Sequence, residues 1–280
     1  MKIYKSISSL IKKVREVKKQ GYKIGLVPTM GFLHEGHMSL IRKARKDTDY
    51  VIVTIFVNPA QFGPKEDFKR YPMAIKRDLM LCEKEGADII FTPEAKEMYP
   101  KDYATYVSVE KITDKLCGAS RPGHFRGVST VVAKLFNIAM PDIAYFGQKD
   151  AQQAIIIKRM ADDLNMSVEI KVMPVVREKD GLAMSSRNVY LNRKERGRAQ
   201  SIYKSLKSAK ELFNEGERDS KKIINKIKRV INNQPDAKID YAAIVDAKDL
   251  RDIKKISGEA LVAVAVKIGK TRLIDNIILN

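Results

Sequence analysis

Between Lys23 and Val176, short apolar runs alternate with stretches of helical spacing, and this alternation most restricts the fold. Tyr50–Val57 is nearly continuous and rich in β-branched residues, as expected of a strand covered on both faces. Lys23–Thr29, Asp88–Thr92, Ile143–Phe146 and Val168–Val176 read as further strands. Ser6–Gln20, Gly36–Lys46, Tyr71–Glu85, Val128–Ala139 and Ala151–Leu164 read as helices; Gly21 and Gly86 stop two of them. Such alternation predicts an α/β fold, a parallel sheet with helices on both faces. The pattern changes after about residue 180. Two long amphipathic helices, Lys194–Phe213 and Ser220–Asn233, precede strand-like runs at Ile239–Val245, Ala260–Ile268 and Arg272–Leu279. Short turns such as Gly269-Lys270 suggest a small antiparallel sheet. The expected division is residues 1–180 and a smaller α+β domain, 181–280, with the boundary in Glu178-Lys179-Asp180-Gly181.

The 280 residues are 44% hydrophobic and 31% charged, which excludes a disordered, collagen-like or disulfide-stapled chain. Apolar runs such as Val51–Val57 and Leu261–Val266 fall far short of the ~20 residues a bilayer span needs. Met1–Lys5 leads into a charged helical pattern with no apolar signal core, and Cys82 and Cys117 lack metal or redox spacing. A cytoplasmic protein with free thiols is the expectation. The net charge of +19 suggests a polyanionic partner (nucleic acid, a membrane surface or a phosphorylated ligand) or else a soluble enzyme with solvated lysine-rich helices. Residues 181–280 hold 22 Lys/Arg against 12 Asp/Glu, much of the excess in runs such as Lys226-Ile227-Lys228-Arg229, which favours the solvated face. The sequence carries no zinc knuckle, aromatic RNA-binding string or helix-turn-helix signature.

Two of the three histidines fall in Pro28-Thr29-Met30-Gly31-Phe32-Leu33-His34-Glu35-Gly36-His37, which leaves the first strand and opens the next helix. Open α/β sheets bind ligands at that carboxyl edge, and a helix N-terminus offers phosphate free N–H groups and a positive dipole end. Gly31 and Gly36 permit close backbone approach, and an imidazole there can donate to a phosphoryl oxygen. A metal pair is less favoured, because the zincin pattern needs i and i+4 histidines and no ligand cluster accompanies this pair. Gly147-Gln148-Lys149-Asp150 also follows a strand: Lys149 can reach a phosphate and Asp150 can accept from ribose hydroxyls. Met184-Ser185-Ser186-Arg187 offers two hydroxyls and a guanidinium fork, as a phosphate clamp or as a polar loop with a helix cap. Gln61, in Asn58-Pro59-Ala60-Gln61-Phe62, and Gln153 can both donate and accept. They suit a ligand with hydroxyls and a carboxylate, or else a loop cap and a solvated side chain.

His34-x-Gly36-His37 resembles the HIGH signature of nucleotidylyltransferases and class I aminoacyl-tRNA synthetases. With Phe56–Phe62, Arg121–Gly127, Phe146–Gln153 and Met184–Asn188 in one order, the chain closely resembles the pantothenate synthetase (pantoate–β-alanine ligase) family along essentially its whole length. The resemblance implies a Rossmann-like ATP- and pantoate-binding domain followed by a C-terminal lid. It implies an AMP-forming amide ligase that joins (R)-pantoate to β-alanine through a pantoyl adenylate and releases pyrophosphate. ATP is the implied co-substrate, Mg²⁺ the implied ion and a homodimer the implied assembly, with neither nucleic acid nor membrane as partner. Met30, Gly31, His34, Gly36, His37, Gly147, Gln148, Lys149, Asp150, Met184, Ser185, Ser186 and Arg187 would bind ATP, and Val176 would meet the adenine region through its backbone. Gln61 and Gln153 would hold pantoate, with Gln61 also beside β-alanine. His37, the implied proton donor, would act with His34 and Lys149 on the phosphates. Met184–Arg187 looks like the KMSKS-type loop with Ala183 in place of its first lysine and Lys149 supplying that charge. No residue is implied as a metal ligand, and His124 and Arg126 have no assigned part. The alternatives are another nucleotidylyltransferase-superfamily enzyme and, more distantly, a nucleic-acid-binding protein.

Overall fold

The computed structural model describes every residue except Lys65. The first part of the chain runs β1 (Lys2–Tyr4), α1 (Ile7–Lys19), β2 (Ile24–Thr29), α2 (Glu35–Asp47), β3 (Tyr50–Ile55), α3 (Ile75–Lys84), β4 (Ile89–Phe91), α4 (Ala95–Met98), α5 (Cys117–Ser120), α6 (His124–Ala139), β5 (Ile143–Gly147), α7 (Ala151–Asp163) and β6 (Glu169–Met173). Its six strands form a parallel sheet in the order β1-β4-β3-β2-β5-β6. Strand side chains alternate between faces. Leu26, Ile52, Ile89 and Phe146 join a core with α1, α6 and α7. Val27, Val53, Ile90 and Tyr145 join another with α2 and with Cys82 of α3. Each fully buried Leu or Ile side chain contributes roughly 1.5–3 kcal/mol.

Three boundaries shift by three or four residues from the sequence expectation, and one strand is added. The helix expected from Tyr71 begins at Ile75. A 3₁₀ turn at Phe68–Arg70 precedes it, and Pro72 has no amide to carry a helix on. The strand expected to reach Val176 ends at Met173, just before Pro174. Helix α6 starts at His124, four residues before the expected Val128, because Gly123 takes a left-handed conformation and turns the chain into it. Strand β1 was not expected: three residues are too short to show a period, and it is defined by its pairing with β4.

Beyond residue 180 come α8 (Arg193–Asn214), α9 (Ser220–Asn232), β7 (Ala237–Asp246), β8 (Ala260–Ile268) and β9 (Thr271–Leu279). The strands form a separate antiparallel sheet, β7-β8-β9. On one face Val262, Val264 and Val266 pack with Ile202 and Leu206 of α8 and Ile223, Ile227 and Ile231 of α9. On the other, Leu261 and Ala263 join the core of the parallel sheet. Strand β8 is thus buried on both sides, so the two sheets share one apolar seam. Among the described residues, no helix is long and apolar enough to cross a membrane.

Candidate active site

From β2 the chain proceeds to β3 and β4 on one side, and from β5 to β6 on the other. The adjacent strands β2 and β5 therefore flank the switch in strand order, where a crevice opens at the carboxyl ends. Pro28 is tolerated inside central β2 because β5 pairs only with Gly25 and Leu26, leaving no ladder bond for the missing amide to make. The His34–His37 loop follows β2 and the Gly147–Asp150 turn follows β5.

A cleft of about 210 Å³ opens there. It is lined by Met30, His34, Gly36, His37, Gln61, Gly147, Lys149, Asp150, Gln153, Val176, Met184, Ser185, Ser186 and Arg187, which brings fourteen of the sixteen expected site residues together. Gly31 and Gln148 are not in the lining. Gly31 makes the turn, at φ +85°, and a Cβ there would press on Ile55 and Asp78. Gln148 donates instead to Asn276 Oδ1 at 3.3 Å. Gly147 has open space where its Cβ would be, which leaves room for a ligand.

The loop after β2 is held by a carboxylate from α3 that sequence reasoning missed. Asp78, 1% exposed, accepts from the Phe32 and Leu33 amides at 2.7 and 2.9 Å. Arg77 donates to the Leu33 carbonyl at 2.8 Å. Within α2, the His34 amide donates to His37 Nδ1 at 3.3 Å, which leaves the proton of a neutral His37 ring on Nε2. The two rings lie 4.0 Å apart. A Cβ at Gly36 would come within 2.9 Å of His34 Cε1, so a larger residue there would push that ring aside. Burial, with Lys149 close by, lowers the His34 pKa to about 4. Burial, then His34 and Lys149, push His37 well below its ordinary value. Both rings are therefore neutral near pH 7. They offer N–H bonds, and the cation beside them is Lys149, whose Nζ lies 3.6 Å from Asp150 Oδ2.

Gln61 is fixed from three sides. Its Oε1 accepts from Asn58 Nδ2 at 3.1 Å, and Asn58 Oδ1 accepts from the Tyr99 hydroxyl at 2.8 Å. Its Nε2 lies 3.1 Å from Met30 Sδ. Its backbone carbonyl accepts from His124 Nδ1 at 2.8 Å, while His124 Nε2 accepts from Arg121 Nη1 at 2.9 Å. A carbonyl only accepts and a guanidinium only donates, so His124 is the neutral Nδ1–H tautomer. Burial and Arg121 lower its pKa to about 4. Arg121 is anchored in turn by a two-point pair with Glu66 at 2.6 Å. His124 thus positions Gln61, whereas Arg126 is exposed and stacks over Tyr106 outside the cleft. Close approach of α6 to this loop needs Gly127, where any Cβ would run into the Ala60 carbonyl.

After Pro174 the chain doubles back: the Met184 amide donates to the Val176 carbonyl at 3.0 Å, setting both residues at the cleft. Ser186 Oγ donates to the Phe32 carbonyl at 3.2 Å, and Ser185 Oγ accepts from the Arg187 amide at 3.2 Å. The Arg187 fork expected to face phosphate is held by Asp67, at 2.8 and 2.9 Å. Among the described residues no group of three His, Cys, Asp or Glu side chains is placed to hold a metal ion. Asp150 is the one carboxylate among the described residues of the lining.

A parallel sheet with two anion-suited loops at its switch point defines a nucleotide-binding α/β enzyme. The pantoate–β-alanine ligase family model matches residues 2–278. The pantothenate synthetase of Thermoanaerobacter pseudethanolicus is 58% identical over 272 residues, 97% of this chain and 96% of the relative. That of Acetivibrio thermocellus is 57% identical over the full length of both. The crystal structure of pantothenate synthetase from Thermus thermophilus superposes with a TM-score of 0.94 at 41% identity, covering 99% of each chain. The pantoate–β-alanine ligase from Francisella tularensis, solved with "Beta-gamma ATP and Beta-alanine", superposes with a TM-score of 0.81 at 36% identity, covering 99% of this chain and 97% of that one. The chain belongs to the pantoate–β-alanine ligase family.

Proposed function

We propose that this chain condenses pantoate with β-alanine at the β2–β5 cleft in two steps, the first of which consumes ATP. One observation carries the reading: the neutral histidine pair, Lys149 and the two glutamines converge on one cleft at the sheet's switch point. The ATP and β-alanine in the Francisella relative's structure support it. A pantoate carboxylate oxygen attacks the α-phosphorus, the α–β bridging P–O bond breaks, and pyrophosphate leaves with the bonding electrons. The β-alanine amine then attacks the acyl carbon. The amide forms, AMP departs with the acyl oxygen, and the nitrogen loses a proton. Positioning and charge neutralisation are the protein's main contributions to such a reaction.

In this reading Gln61 and Gln153 hold pantoate, and Gln61 also borders β-alanine. Lys149 meets the phosphates as a point charge, and His34 and His37 donate to their oxygens. Ser185, Ser186 and Arg187 receive the outgoing pyrophosphate, with Asp67 competing for the Arg187 fork. Met30, Gly36, Gly147, Asp150, Val176 and Met184 enclose the rest of the nucleotide. Asp150, the carboxylate in the cleft lining, is the residue that would hold Mg²⁺, an ion that keeps several waters and takes only one or two carboxylates. When bound it would neutralise phosphate charge. Residues 181–280 would act as the lid, on a cytoplasmic homodimer that light scattering would read near twice the 31.7 kDa of one chain. The direct test supplies pure protein with ATP, Mg²⁺, pantoate and β-alanine. AMP and pantothenate in equal amounts are expected, and neither product appearing would overturn the reading.

A further inference from the structure

The second sheet reaches the nucleotide side of the cleft through two neighbouring residues of β9. Asn276, 3% exposed, donates from Nδ2 to the carbonyls of both Gln148 and Lys149, at 2.8 and 3.0 Å. Two carbonyl partners demand a donor, which settles the orientation of the amide. Its Oδ1 accepts from Gln148 Nε2. Asp275, 2% exposed, takes Arg177 in a two-point pair at 2.6 and 3.0 Å. Its Oδ1 also accepts from the Asn276 amide at 2.8 Å, so the two residues share one network. Arg177 forms a backbone bridge with Ala183, donates to the Gly181 carbonyl at 3.2 Å and lies 3.9 Å over the Tyr203 ring. It thereby sets the base of the turn from which Met184–Arg187 emerges.

We propose that Asp275 and Asn276 are positioning residues that couple the Gln148–Asp150 turn to the Met184–Arg187 loop. The proposal rests on the ATP-site reading above and extends it. The two segments lie about thirty-five residues apart in the chain, and each is gripped by one prong of the same strand. Any displacement of the β7–β9 sheet therefore moves both segments together, and loss of a prong frees one of them. A buried amide bonded to two consecutive carbonyls fixes the path of the backbone, and hence the root from which the Lys149 side chain extends.

The test is calorimetric binding of ATP and, separately, of pantoate to Asn276→Ala, Lys149→Ala and the double variant. Asn276→Ala removes all three neutral hydrogen bonds that this side chain makes to the buried turn, and ATP affinity is expected to fall about tenfold. Pantoate affinity should stay within about twofold, since the pantoate-facing side chains are not tied to Asn276. The ATP loss should largely vanish in the Lys149→Ala background, because Asn276 acts through that lysine. Asn276→Thr keeps one donor and should give an intermediate loss; it carries the test if the alanine variant fails to fold. Equal losses for ATP and pantoate, full additivity with Lys149→Ala, or unchanged ATP affinity would each overturn the coupling. Because the readout is binding, a wild-type protein that bound ATP but made no pantothenate would refute the ligase reading while the coupling was still decided.

Discussion

The protonation of His124 gives a stability signature of definite sign and size. The folded protein holds this ring neutral, with a pKa lowered from 6.5 to about 4. A depressed folded-state value means that the unfolded chain binds the proton first as the pH falls. The stabilisation is therefore complete above about pH 6.5 and is lost on descending toward pH 4. Between those limits each step of one in pH removes about 1.4 kcal/mol, so the His124 contribution lost between neutral pH and pH 5 is about 2 kcal/mol. Asparagine at this position places an N–H where Nδ1 stands, so it can keep the bond to the Gln61 carbonyl, but it cannot take up a proton. Urea unfolding of wild type and His124→Asn at several pH values between 5 and 7.5 isolates this contribution. The gap between the two should narrow by about 2 kcal/mol on acidification, because wild type alone carries the His124 penalty. Parallel profiles would refute the assignment of a neutral His124 locked between Arg121 and Gln61. The lowered pKa values of His34 and His37 act with the same sign and are common to both proteins, so they cancel in the difference.

Gly36→Ala should leave the fold intact and abolish adenylate formation, because the added methyl displaces the His34 ring; circular dichroism and a pyrophosphate-release assay check the two halves. Asp67→Asn keeps the shape of the side chain but frees the Arg187 charge, so the KM for ATP should fall severalfold; a rise would make Asp67 a support for Arg187. Gln61→Ala and Gln153→Ala should each lower kcat/KM for pantoate by about one to two orders of magnitude with little change in ATP binding. Unchanged pantoate kinetics in both variants would make the two glutamines structural.

The sheet was readable from the sequence because each long strand is an apolar run between helices of 3.6 period. The two loops at the switch point were readable because Gly, His and Lys stood at strand ends, where backbone amides and an open edge give such residues a use. The supports of those loops were not readable. Phe32 and Asp78 lie 46 positions apart, Arg187 and Asp67 120, and Gln148 and Asn276 128. A single chain carries no local mark of which polar residue will meet which carbonyl across such spans. His124 is the instructive case: nothing in its sequence neighbourhood assigns it a part, and only the Gln61 carbonyl on one side and Arg121 on the other define its role. Likewise the Arg187 fork stands in the sequence without its partner, because Asp67 is brought to it only by the fold.

The order of the chemistry is the central claim, and rapid-quench measurement of pyrophosphate tests it most directly. Protein at a concentration comparable to ATP is mixed with Mg²⁺ and pantoate, with β-alanine left out. A pantoyl adenylate held in the cleft predicts a burst of pyrophosphate approaching about one equivalent per active site, followed by AMP and pantothenate when β-alanine is added. Pyrophosphate that appears only after β-alanine is supplied would contradict the adenylate-first account.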